Sequence, residues 1–140
     1  MKKLICYTDG SFSEELQRYS FGLVVLNTDK EVISTDCGRG SNPSYLQHWQ
    51  VSGEILASLK AVDYAIRHNA TDLEICYDYL GIEKWATGEW KGKKELTRSY
   101  ASYMGDAITK VNITFKKVKA HSGDKYNDMA DALASKGMYS

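Results

Sequence analysis

The chain has 140 residues, the length of one domain with a buried core, and 43% of them are hydrophobic while 26% are charged. With one proline and no biased tract, this composition excludes a disordered chain. The 18 basic and 18 acidic side chains cancel but are unevenly placed. Residues 1–83 carry 7 basic and 12 acidic side chains, whereas residues 84–125 carry 10 basic and 4 acidic. The basic block predicts either a surface for a polyanion or an ordinary solvated face.

The N-terminal stretch favours a cytoplasmic protein, and the cysteines show no pairing pattern. The apolar run after Lys3 breaks at Asp9, which is too short for a signal-peptide core or a membrane span. Cys6, Cys37 and Cys76 are isolated, odd in number and form no CxxC pair. We therefore expect buried free thiols rather than disulfides or a zinc site.

The first third of the chain predicts an antiparallel meander of three strands. They are expected at Leu4–Phe12, Ser20–Asn27 and Val32–Cys37, with short polar connections between them. A loop is predicted over Gly38–Asn42, and Pro43 favours the start of a new element.

A helical period begins near Trp49 and continues to His68. Its apolar stripe consists of Ile55, Leu59, Val62 and Ile66. Small residues share the face of Glu54 and would let this helix lie close to a sheet: Ser58, Ala61 and Ala65. A strand over Leu73–Tyr77 follows, and this strand–helix–strand order predicts a parallel crossover.

The second half predicts three more helices and one strand. The helices are Leu80–Trp85, Leu96–Lys110 and Tyr126–Lys136, and the strand is Val111–Lys119. The apolar side of the middle helix is expected to consist of Leu96, Tyr100, Tyr103, Met104, Ala107 and Ile108. The whole is predicted to be one α/β domain over residues 1–140, with a mixed five-stranded sheet flanked by helices.

Four acidic residues are expected at one edge of this sheet. Asp9 ends the first strand, Asp78 follows the fourth, and Glu54 and Asp131 are expected near the starts of two helices. Ligands of open α/β sheets gather beyond the carboxyl ends of the strands. Clustered carboxylates repel one another unless cations neutralise them, and oxygen ligands favour Mg²⁺ or Mn²⁺.

Each of these acids also has a purely structural interpretation. Asp9 with Gly10 is also typical of a turn, and Asp78 could cap the next helix. Glu54 and Asp131 could be favourable charges in the first turns of their helices. His121, ten residues before Asp131, could be a surface-loop histidine.

Several motifs together resemble the type 1 ribonuclease H family. They are TDGS (8–11), SGE with the alanine-bearing helix that follows (52–61), YDY (77–79) and VKAHSGDKYNDMAD (118–131). Residues 77–91 also resemble bacterial members of that family. The resemblance covers nearly the whole chain in the same element order. It implies a ribonuclease H-like fold, with three antiparallel strands followed by two parallel ones.

The resemblance also implies an activity, which is hydrolysis of the RNA strand of RNA–DNA hybrids to give 5′-phosphate and 3′-hydroxyl ends. The implied metal ligands for two Mg²⁺ ions, with Mn²⁺ as a substitute, are Asp9, Glu54, Asp78 and Asp131. In the family pattern Asp9 would bridge the two ions, and His121 would assist proton movement or product release. The implied partner is a hybrid duplex rather than a membrane, and a monomer is expected.

Substrate contacts are expected from two regions. Gly10, Ser11 and Gln50 lie near the acids in sequence and would approach the 2′-hydroxyls of the wide minor groove. The basic segment would contact phosphates through Trp90, Lys91, Lys93 and Lys94. Trp85 fits a core position as well as a contact.

Three departures from the family pattern leave alternatives open. Gln50-Val51-Ser52 replaces a Thr-Asn-Asn type stretch, and Tyr79 stands where serine is common. The basic segment at 88–94 is short. A binding module without turnover, or a DNA nuclease or resolvase using the same metals, are the competing hypotheses.

Overall fold

The computed structural model describes residues 2–119 and 123–140. Its five strands form one sheet in the order β3-β2-β1-β4-β5. The strands are β1 (Lys3–Ser13), β2 (Arg18–Leu26), β3 (Val32–Gly40), β4 (Asp72–Tyr77) and β5 (Asn112–Lys117). β1, β2 and β3 pair antiparallel, whereas β4 and β5 extend the sheet parallel to β1. The predicted fold class is confirmed.

In the described part of the chain, five helices connect and cover this sheet. They are α1 (Pro43–Leu46), α2 (Gln50–Arg67), α3 (Gly81–Thr87), α4 (Glu95–Ala107) and α5 (Lys125–Gly137). None of these helices in the described residues is long and apolar enough to span a membrane.

The core has two layers, one on each face of the sheet. Because side chains alternate along a strand, the side chain of Cys6 in β1 faces α2 and that of Tyr7 faces α5. The small α2 residues Ser58, Ala61 and Ala65 are fully buried, as their spacing predicts.

The three cysteines are free thiols, as predicted. Cys6 and Cys76 are buried, and burial is the main cause that raises the pKa of both thiols, in Cys76 to about 12. Cys37 is only half-buried, because it lies on the outer strand β3.

Several predicted features are wrong, for identifiable reasons. Asp9 does not end the first strand, because β1 stays paired with β2 as far as Ser13. β3 continues to Gly40, because β2 pairs with the segment predicted as a loop. The side chain of Asp124 accepts the amide hydrogens of Tyr126 and Asn127, so α5 begins earlier and Asp131 lies in its middle. The helical pattern predicts that Tyr103 and Ile108 face the core, but they are 39% and 43% exposed.

Candidate functional site

Asp9 and Asp131 meet on the α5 side of the sheet. Asp9 lies opposite Gly22 of β2 and beyond the last residue of β1 that pairs with β4. Its carboxyl group forms a side-chain hydrogen bond with that of Asp131 from α5. Two carboxyl groups that share a hydrogen bond must hold a proton between them, and a cation could take the place of that proton.

Glu54 connects α2 to the end of β4. Its side chain is 4% exposed, and its Oε2 accepts a hydrogen bond of 2.7 Å from the amide of Asp78. Its Oε1 accepts a second one of 3.1 Å from the amide of Tyr79. These two bonds fix the turn that presents the Asp78 side chain, so Glu54 positions this part of the chain.

The carboxyl groups of buried Glu54 and half-buried Asp9 both have raised pKa values. Burial, the largest cause, raises the pKa of Glu54 from 4.5 to about 8, although the two amides that it accepts oppose this change. Burial also raises the pKa of Asp9 from 3.8 to about 7, followed by the hydrogen bond with Asp131 and the charges of Asp131 and Asp78. Such perturbed carboxyls mark candidate functional sites.

Asp9, Glu54 and Asp78 line one cleft of about 300 Å³ at the carboxyl edge of the sheet, which we call the acidic cleft. Its other walls are Gly10, Gln50, Val51, Tyr79, Leu80 and Lys117. Asp131 does not line this cleft, but its carboxyl group forms a hydrogen bond with that of Asp9, which does. The structure thus brings the four predicted acids to one edge from four separate elements.

The chemistry of this donor set fits a hard divalent cation. The side chains are carboxylates, and a cation would favour the charged forms that burial disfavours. In the described residues, however, no three His, Cys, Asp or Glu side chains already form a ligand group. Both Glu54 oxygens accept backbone hydrogens instead. Binding an ion would therefore require these side chains to rearrange.

Glycines let the two helices approach the sheet closely enough to bring the acids together. A Cβ on Gly10 would overlap the backbone of α2 at Gln50 and Glu54, and one on Gly53 would overlap Ser20. The small size of Gly10 therefore serves helix packing, whereas the sequence suggested close approach of a ligand. On the other face, a Cβ on Gly22 would lie 2.6 Å from the backbone nitrogen of Ala134 in α5.

Gly22→Ala should push α5 away from the sheet and separate Asp131 from Asp9. We expect the free energy of unfolding to fall by ~1–3 kcal/mol, the usual cost of overpacking. The pKa of Asp9 should move towards its ordinary value, as followed by NMR titration. The control is Gly105→Ala, a helix position where an added Cβ meets nothing within 4 Å. That variant should be stabilised by ~0.5–1 kcal/mol, and equal destabilisation of both variants would contradict this packing argument.

The predicted substrate residues divide into two groups. Gly10 and Gln50 line the acidic cleft, and Ser11 lines an adjoining cleft that shares both of them. Lys91, Lys93 and Lys94 are exposed between α3 and α4 and do not line the acidic cleft.

The basic segment is anchored by aromatic rings. Trp90 is 38% exposed and packs edge-to-face on Trp85 with the ring centres 5.8 Å apart. Trp85 in turn contacts the ring of Tyr79, beside Asp78. Trp85 thus links the basic segment to the acidic cleft.

His121 lies outside the described residues, so its role stays a prediction. The sequence interpretation missed two residues that the structure places at the site, Lys117 and Trp49. Lys117 ends β5 opposite Tyr77, the residue before Asp78. The register of β5 could have indicated it. Trp49 precedes α2, and nothing in the sequence predicts that its side chain is exposed beside the site.

Comparison with known proteins places these features in a family. The RNase H family model matches residues 1–139. The ribonuclease H of Wolbachia pipientis wMel is 27% identical over 146 residues, covering 98% of this chain and 96% of that protein.

Solved structures have the same fold. RNase H1 from the halophilic archaeon Halobacterium salinarum NRC-1 superposes with a TM-score of 0.80 at 19% identity, covering 97% of both chains. LC11-RNase H1 in complex with an RNA/DNA hybrid superposes with a TM-score of 0.74 at 13% identity, covering 96% of this chain and 99% of that one. Because the family match extends over nearly the whole length, the chain belongs to the RNase H family, and its predicted class, an RNase H enzyme, is confirmed.

Proposed function

We propose that this protein hydrolyses the RNA strand of RNA–DNA hybrids with divalent metal ions, giving 5′-phosphate and 3′-hydroxyl ends. The observation that carries the proposal is the acidic cleft, where Asp9 and Glu54 have raised pKa values beside Asp78. Like charges brought this close together cost stability, and Glu54 is also buried, so the arrangement favours a functional role. The related LC11-RNase H1, solved with an RNA/DNA hybrid, supports this substrate class.

Asp9, Glu54, Asp78 and Asp131 would hold two Mg²⁺ ions, and Mn²⁺ could substitute. When bound, such ions activate water and stabilise the leaving oxygen. Asp9 presents its carboxyl between Asp131 on one side and the acidic cleft on the other. Glu54 holds the backbone that carries Asp78. His121 would take part in proton movement or product release, since its ordinary pKa lies near neutrality.

Recognition of the hybrid would use shape and phosphates rather than base sequence. An RNA–DNA duplex has a wide, shallow minor groove that displays 2′-hydroxyls. Gly10, Ser11 and Gln50 line the clefts at the sheet edge and offer backbone and polar side-chain groups to those hydroxyls. Trp90, Lys91, Lys93 and Lys94 would contact phosphates of the DNA strand. The protein would act as a monomer.

Cleavage of labelled substrates tests this function. Hybrid, duplex RNA, duplex DNA and a four-way DNA junction are incubated with the protein in Mg²⁺ and in Mn²⁺. We expect the RNA of the hybrid to be cut and the other substrates to be cut far more slowly. A folded protein that binds hybrid without cleaving it would favour the binding module, and duplex DNA or the junction cut as fast as hybrid would favour the DNA nuclease or resolvase.

Lys117 extends the proposal, because it is the basic residue among those that line the acidic cleft. Neither ion pair found in residues 2–119 and 123–140 involves it. Its ammonium group would therefore contact a phosphate of the bound strand rather than neutralise the acids.

Lys117→Ala should raise KM for hybrid about tenfold, the equivalent of ~1.4 kcal/mol, with a smaller effect on kcat. The slope of log Kd against log salt should shallow by about 0.9, as expected for one lost phosphate contact. Lys116→Ala is the matched control, because the neighbouring lysine is exposed and does not line the cleft. Equal salt slopes for the two variants would exclude a specific phosphate contact at Lys117.

A further inference from the structure

A second, larger cleft of about 840 Å³ adjoins the acidic cleft, and we call it the Trp49 cleft. It lies between the β1–β2 hairpin and the segment leading into α2. Its walls are Gly10, Ser11, Phe12, Glu14, Gln17, Leu46, Gln47, Trp49 and Gln50. Gly10 and Gln50 also line the acidic cleft, so the two form one continuous depression. A strand bound across the acids would extend into the Trp49 cleft.

Trp49 is held in an unusual state for a large apolar residue. Its side chain is 62% exposed, and its backbone has φ of +52°, a left-handed region that bulky residues rarely adopt. Within the described residues, Trp85 and Trp90 pack against other rings, whereas no ring contact involves Trp49. An exposed tryptophan in a strained backbone conformation costs stability, which indicates a binding role.

The residues that line the Trp49 cleft match some parts of a nucleic acid better than others. No residue of this lining is basic, and Glu14 contributes a negative charge, so phosphate is a poor match. Phe12, Leu46 and Trp49 provide apolar surface, while Ser11 and Gln47 provide hydrogen-bonding groups. This mixture suits a sugar ring with its hydroxyls, which has both an apolar face and polar groups.

We infer that the indole of Trp49 packs against a sugar of the hybrid's minor groove next to the site of cleavage. This inference rests on the proposed function and adds a contact to it. The sugars of a wide, shallow minor groove are within reach of side chains that cannot reach the bases. Trp49 contributes affinity and fixes the lateral position of the strand, while the acids act on the phosphate beside it.

Trp49→Ala tests the inference by steady-state kinetics on a hybrid. KM should rise about tenfold while kcat changes less than twofold, in line with the loss of one aromatic contact. Trp49→Phe should restore most of the loss. The salt slope of binding should stay unchanged, because no charge is removed. The control is Tyr139→Ala, which removes a ring that is 78% exposed and lies in neither cleft.

Binding is measured separately from cleavage, by anisotropy of a labelled hybrid with Asp9→Asn protein with and without Trp49→Ala. A roughly tenfold weaker Kd in the double variant supports the contact. If the wild-type protein cleaves hybrid and Trp49→Ala behaves like Tyr139→Ala, the inference is wrong and the proposed function stands. If the wild-type protein neither binds nor cleaves hybrid, the proposed function itself fails.

Discussion

Asp9→Asn should reduce hybrid cleavage by at least ~1,000-fold, the equivalent of about 4 kcal/mol of activation free energy. Asp9 is the acid that contacts Asp131 while also lining the acidic cleft with Glu54 and Asp78. Asparagine keeps the size of the side chain but removes the charge that would hold a cation. The measurement is single-turnover cleavage of a labelled hybrid at saturating Mg²⁺.

Two controls separate lost chemistry from lost structure. Asp106→Asn removes an exposed carboxylate of α4 that lies outside the acidic cleft, and this variant should cleave at the wild-type rate. Hybrid binding by Asp9→Asn should remain within a few-fold of wild type, because the expected substrate contacts lie elsewhere. Near-normal cleavage by Asp9→Asn would remove Asp9 from the mechanism.

The second large effect is a fall in the stability of the metal-free protein as the pH rises. The folded state raises the pKa of Glu54 from 4.5 to about 8 and that of Asp9 from 3.8 to about 7, in both cases mainly by burial. Folding therefore favours the protonated forms. Their contribution is fully present below about pH 4 and is lost as the pH passes through 7 and 8. A tenfold change in the proton affinity of a carboxylate on folding corresponds to ~1.4 kcal/mol, so the loss amounts to several kcal/mol.

Urea unfolding followed by circular dichroism between pH 5 and pH 8.5 measures this dependence. Adding Mg²⁺ at pH 8 should recover much of the lost stability, because a cation that binds the ionised carboxylates stabilises the folded state. Glu54→Gln should flatten the pH dependence even though it loses one of the two amide hydrogen bonds. Wild-type stability that rises from pH 5 to pH 8 without metal would contradict the assigned burial.

The antiparallel meander and the parallel crossover could be predicted because they follow from local patterns. The alternation in β1, the apolar run of β2, the helical stripe of α2 and the short connections indicate these pairings and their directions. The ends of elements depended on tertiary partners. Gly38–Gly40 joins β3 only because β2 lies beside it, and α5 begins at the cap that Asp124 provides. Residue propensities alone predict neither the end of β3 nor the start of α5.

The convergence of the acids was also predictable, because functional groups of open α/β sheets gather near the carboxyl ends of the strands. The sequence does not show that Glu54 accepts the amides of Asp78 and Tyr79, since this depends on the depth at which α2 packs. The sequence also does not show the close contacts of Gly10 and Gly53 that set the depth of α2. Trp49 is visible in the sequence only as the start of a helix, and its exposure comes from the turn between α1 and α2.

The most direct test of the metal centre is a crystal of this protein soaked in Mn²⁺ and measured at the manganese absorption edge. Anomalous scattering locates the ions independently of any assumed ligand. We predict anomalous peaks between Asp9 and Asp78, with the Glu54 and Asp131 carboxylates turned towards them. Asp9 and Asp78 lying well apart, with no peak between them at a saturating Mn²⁺ concentration, would contradict the account.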